Sequence, residues 1–173
     1  MKRASFIVWY LLVSVLLGQI LTSCSPSTVS SGSVFWYQEG LRGARAKITV
    51  SDAEYTVYIK IGAEEQSIEI TAPENISGVC VTKESGGTYA ENGGVKIPIS
   101  EGVFEGVEPF IGAFALSEDD IAQISASEAG GTTVTVQSSS GVYTVFTDPD
   151  GNPVRIACEG ERVFEMTDIE IER

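Results

Sequence analysis

Histidine is absent from this chain of 173 residues. That excludes serine–histidine triads, phosphohistidine chemistry and the usual zinc sites, because imidazole is the commonest general base and metal ligand. Basic residues are scarce, with 11 Lys plus Arg against 24 Asp plus Glu and a net charge of −13. Nucleic acid is thereby excluded as the default partner, since phosphate surfaces attract Lys and Arg. Cysteine occurs only three times and methionine twice. With 43% hydrophobic and 20% charged residues, the composition is that of a folded domain and not of a disordered chain. Length allows one domain with a real core.

A long hydrophobic run is also missing. The most apolar stretch, residues 6–17, follows Lys2 and Arg3 and is about a dozen residues long. A membrane-spanning helix takes about 20. A basic start, a short apolar stretch and small residues describe a secretory signal peptide. Its end, Leu21-Thr22-Ser23-Cys24, resembles the lipobox of bacterial lipoproteins. The resemblance implies cleavage before Cys24 and a lipid attached to that cysteine, whose acyl chains would hold the protein to a cell membrane or outer membrane, on the extracytoplasmic side. Residues 1–23 therefore read as the signal peptide, and 24–33 (CSPSTVSSGS) as a flexible tether. Without Lys2 and Arg3 the remainder has 9 basic and 24 acidic groups, net −15, which repels an anionic bilayer.

From residue 42 the apolar period is two. Ala44, Ala46, Ile48 and Val50 alternate with polar residues, as do Tyr55, Val57, Ile59 and Ile61, and then Ile68 and Ile70. Further strands are expected at 78–84, 87–91, 94–99, 132–137, 141–147, 154–158 and 163–171, separated by Gly, Asn and Pro turns. One interval breaks the rhythm. Val107, Phe110, Ile111 and Phe114 have helical spacing, and Ser117 followed by Glu118-Asp119-Asp120 reads as the N-cap of a short helix running to Ile124. The expected fold is mainly β (α+β): one curved antiparallel sheet of about ten strands forming a half-open barrel over 34–173, with one or two short helices as a lid between strands six and seven.

The strand meander, Pro73 with Gly78 before the next strand, the helical insertion at Phe110–Leu116, the hairpin ending at Gly151-Asn152-Pro153 and an alternating last strand together resemble the LolA/LolB-like superfamily of bacterial lipoprotein carriers and related anchored lipoproteins. The likeness covers residues 34–171. It implies a half-open barrel whose concave face holds acyl chains, and a binder rather than an enzyme. Two departures favour an anchored or more distant relative: this chain has its own lipid site, and Val34-Phe35-Trp36-Tyr37 enters the strands without a preceding helix.

The candidate residues follow. Cys24 is the lipid attachment site. Tyr55, Val57, Ile59, Ile61, Ile68 and Ile70, covered by Phe110, Ile111 and Phe114, form either a hydrophobic ligand slot or a closed core. Trp36 reads as a membrane-interface contact or as the first packed residue of the domain. Cys80 and Cys158 are either a disulfide or two small buried residues. Asp148 to Asn152 has alternating oxygen ligands but reads better as a tight hairpin turn than as a calcium loop. No catalytic residue, metal site or cofactor is assigned. The expected molecule is a monomeric, non-enzymatic lipoprotein of the cell envelope that binds a lipid, an acyl chain or a lipoprotein segment. The alternative is a structural or protein-interaction lipoprotein with a closed core.

Overall fold

The computed structural model describes residues 34–127, 130–160 and 163–173. The signal-peptide, lipobox and tether readings fall on residues 1–33 and so lie outside the described residues. After a 3-10 turn at Trp36–Gln38 come six strands: β1 (Gly43–Val50), β2 (Ala53–Ile61), β3 (Glu65–Ala72), β4 (Cys80–Glu84), β5 (Gly87–Asn92) and β6 (Val95–Pro98). Two short helices follow, α1 (Glu101–Glu105) and α2 (Glu108–Gly112). Five more strands complete the domain: β7 (Ile121–Ala126), β8 (Thr132–Ser138), β9 (Gly141–Thr147), β10 (Pro153–Glu159) and β11 (Phe164–Glu172).

All eleven strands belong to one antiparallel sheet in the order β6-β5-β4-β3-β2-β1-β11-β10-β9-β8-β7. Each half is a hairpin meander, and the two halves are joined where the first strand pairs with the last, Ala44 opposite Ile171 and Ile48 opposite Met166. β6 and β7 are the sheet edges, so the barrel stays half open. The chain between them carries α1 and α2 across the concave side as a lid. Pro109 sits in the first turn of α2, where its missing N–H costs no intrahelical bond.

Eleven strands replace the expected ten because residues 121–124 are strand and not helix. Ser117 does cap a turn, its Oγ accepting from the Asp119 N–H at 3.2 Å, but that turn is a 3-10 segment of three residues, Glu118–Asp120. The strand that follows is irregular. Ile121 lies opposite Val136 and Ile124 opposite Val134, so three steps on β7 match two on β8. A β-bulge between Ile121 and Gln123 brings both isoleucines to one face. The same device operates in β11. Arg45 faces Glu170 while Lys47 faces Thr167, and Asp168 takes a positive φ of 50°. Lys47 closes over this irregularity with an ion pair to Asp168 at 2.9 Å.

Candidate functional site

Alternation sends Ala44, Ala46, Ile48 and Val50 of β1 to the concave side, and register carries the pattern across the sheet. Ala46 lies opposite Val57, Ile48 opposite Tyr55, Val57 opposite Ile70, and Ile68 opposite Val81. The lid does not fill this face evenly. Under it the β1–β4 half leaves a cavity of about 420 Å³, within the size range of small-ligand pockets. Its walls are Ile48 and Val50 of β1, Ala53, Tyr55 and Val57 of β2, Ile68 and Ile70 of β3, and Val79 and Val81 at β4. Val107 and Phe110 close it from the lid, and the exposed Ser51 stands at the β1–β2 turn. Among the described residues the only side-chain polar atoms in this lining are the Ser51 and Tyr55 hydroxyls.

Tyr55, Val57, Ile68, Ile70 and Phe110 therefore come together around the cavity. Ile59, Ile111 and Phe114 go to the fully packed core, and Ile61 packs against that core at its margin. Ile48, Val50, Ser51, Ala53, Val79, Val81 and Val107 were not singled out by sequence reasoning. Their signal was in the pairing: once Tyr55 and Ile68 are placed, Ile48 and Val81 directly opposite them must share the same face.

The lid is held from the other half of the sheet. The Tyr143 hydroxyl on β9 donates to the Pro109 carbonyl at 3.2 Å and also bonds the Ser140 hydroxyl at 2.9 Å. Burial pushes the Tyr143 phenol up, partly offset by the Ser140 bond. Phe110 meets Phe164 of β11 edge to face, with centroids 4.7 Å apart. Phe110 thus belongs to both regions, packed on one side and lining the cavity on the other.

Cys80 and Cys158 are free thiols. The disulfide reading is corrected by topology: Cys80 is on β4 and Cys158 on β10, with β3, β2, β1 and β11 between them. A bridge needs Cα atoms within about 7 Å. Cys158 is buried, and that burial raises its pKa. Trp36 is packed, with the Arg173 guanidinium 4.3 Å above its ring and Gly151 so close that a Cβ there would collide with the indole. Gly151 also needs its positive φ of 81° for the turn. In that turn Asp148 accepts from the Asn152 N–H at 2.8 Å and from the Asn152 side-chain amide at 3.2 Å. Desolvation raises the Asp148 carboxyl, but these bonds and the neighbouring backbone N–H groups outweigh it and lower the pKa overall. The carboxylate works as a turn fastener. Among the described residues no group of three or more His, Cys, Asp or Glu is placed to hold a metal.

No family model and no curated protein matches the sequence. Solved structures do show similarity. One is an uncharacterized conserved protein from Thermus thermophilus, at 10% identity and a TM-score of 0.44, over 81% of this chain and 86% of that one. Another is a domain named for outer membrane lipoprotein sorting from Vibrio parahaemolyticus, at 9% identity and 0.35, over 76% and 84%. A LolA superfamily protein from Nitrosomonas europaea follows at 11% and 0.30, over 82% and 93%. All three are distant.

Proposed function

We propose that this chain is a bacterial envelope lipoprotein, anchored through lipid on Cys24, whose half-barrel binds an apolar ligand beneath its lid. The observation that carries this reading is the cavity of about 420 Å³, with walls almost wholly aliphatic and aromatic. Water in such a space finds few polar partners, so an apolar guest gains the burial that the lid does not supply. The ligand class is a lipid, an acyl chain or the acylated segment of another lipoprotein. On this reading residues 1–23 are removed, 24–33 tether the domain, and the protein faces the extracytoplasmic side. The role is binding, with no catalytic residue assigned.

The test is a neutral diazirine hydrocarbon probe applied to the full chain in lipid nanodiscs, with peptide mapping by mass spectrometry. Label is expected on peptides from 48–57, 68–81 and 107–110, and a lipid mass on the Cys24 peptide. Absence of label from those peptides overturns the ligand reading; a Cys24 peptide of unmodified mass overturns the anchor.

A second reading, a protein-interaction lipoprotein, draws on the sheet edge at β7. Five of the six β7 residues are exposed and none is charged, and an edge without charged guards accepts an added strand. Pull-down of an envelope protein that a β7 proline substitution abolishes, together with an unlabelled cavity, would favour it.

A further inference from the structure

The two edges of the sheet are not alike. At β6 the Ile99 N–H bonds the Thr88 carbonyl at 2.9 Å. Bonded and non-bonded pairs alternate along an antiparallel ladder, so the backbone groups of Val95 and Ile97 face β5 while those of Lys96 and Pro98 face outward. A charged residue and a proline without an N–H guard that edge. At β7 the Ser127 N–H bonds the Gly131 carbonyl at 2.8 Å. By the same alternation Ser125 and Gln123 bond β8, and the N–H and C=O groups of Ile124 and Ala126 face outward. β7 contains neither a charge nor a proline, and among the described residues it is paired on one side only.

The described chain begins beside this edge. The Val34 N–H donates to Glu118 Oε1 at 2.8 Å, and Glu118 precedes Ile121, the first residue of β7, by three positions. The segment that leads to Val34 is residues 24–33. Its ten residues extend to ~33 Å at ~3.3 Å each, against ~20 Å for the six of β7, so it can run the length of that strand.

Charge selects among occupants. Glu118, Asp119 and Asp120 are exposed at the head of β7, and the whole chain carries −13. A second copy would bring like charge to the edge. Residues 25–33 carry no charge, and after Pro26 they are Ser, Thr, Val and Gly. Such residues suit an edge that already pairs Ser125 with Thr133, since hydroxyl side chains stabilise one another across strands. Belonging to the same chain also gives the segment a high effective concentration.

We propose that residues 27–32 add to the outer edge of β7 as a further strand of the sheet. Pro26 limits the pairing. On the anchor reading, only Ser25 and Pro26 then separate the strand from Cys24, which holds the domain close to the bilayer with the β7 edge nearest the anchor. A foreign strand must displace this segment to reach β7.

Hydrogen exchange on the full chain in phosphatidylcholine nanodiscs tests this. The wild type is compared with Thr28→Pro, Val29→Pro and Ser30→Pro combined, which removes pairing N–H groups in either register and lies outside the domain at 34–173. The expected result is protected Ile124 and Ala126 amides in the wild type and exchange about tenfold faster there in the variant, with β6 unchanged. Equal exchange of the β7 peptide in the two chains overturns the proposal. Protection that survives the prolines but falls at a lower protein-to-lipid ratio assigns the edge to a second copy and also overturns it. The mass of the Cys24 peptide reports the anchor separately, so the failure of one is distinguishable from the failure of the other.

Discussion

The two halves of the sheet carry the same alternating pattern and bury it differently. In the β8–β11 half the inward side chains are packed to completion: Val134, Val136, Tyr143, Val145, Ile156 and Met166 are all fully buried. In the β1–β4 half, Val50, Tyr55, Ile70 and Val81 face inward yet remain only partly covered. The difference lies in the lid and not in the strands. Tyr143 and Phe164 tie α2 to the β9–β11 side through the Pro109 carbonyl and the Phe110 ring, while the helix backbone itself lies nearest β2 and β3. Beneath it the β1–β4 half keeps space that Val107 and Phe110 border but do not fill.

The largest effect that would sharpen this contrast is on stability. Ile156→Ala, in the packed half, is expected to cost about 3–4 kcal/mol, because the side chain is fully enclosed and its removal leaves a void. Ile70→Ala, in the cavity half, is expected to cost about 1 kcal/mol, since that side chain is already partly uncovered. Denaturant midpoints of the two variants measure the difference, and equal losses would mean that both halves are packed alike. A smaller effect is expected from Tyr143→Phe. It removes one of two donors to the Pro109 carbonyl, which keeps the Ala113 N–H at 3.1 Å, and is expected to cost about 1 kcal/mol. It should also speed amide hydrogen exchange across 110–115 more than in β8 or β9. Unchanged exchange there would show that the aromatic contact with Phe164 holds the lid by itself.

Much of the architecture could be read from the residues alone. Alternation through Ala44–Val50 and Tyr55–Ile61, punctuated by turn residues, specified strands and their inward faces, because a period of two is a direct consequence of the pleat. The lid was legible in Val107, Phe110, Ile111 and Phe114. β7 was not, because Ser117 and Glu118-Asp119-Asp120 cap only a 3-10 turn, and the bulge in the strand that follows hides its two-residue period. The pairing of β1 with β11 was equally hidden, since nothing local to Ile48 names Met166 as its neighbour. The cavity lay furthest from view. Ile70 and Ile59 share a face and a residue type, yet one lines open space and the other is sealed. What separates them is how the lid covers the concave face, and one contact that holds the lid, Tyr143 to Pro109, spans 34 positions in the chain.

The central claim is that space beneath the lid is real and available. Ile70→Trp tests it most directly, by placing a bulky ring where the cavity now lies. The expected result is loss of the neutral photoprobe from the cavity peptides with an unfolding midpoint equal to or above that of the wild type. If instead the substitution destabilises the domain by about 1–3 kcal/mol, as overpacking a filled core does, the β1–β4 half is closed and the account is wrong.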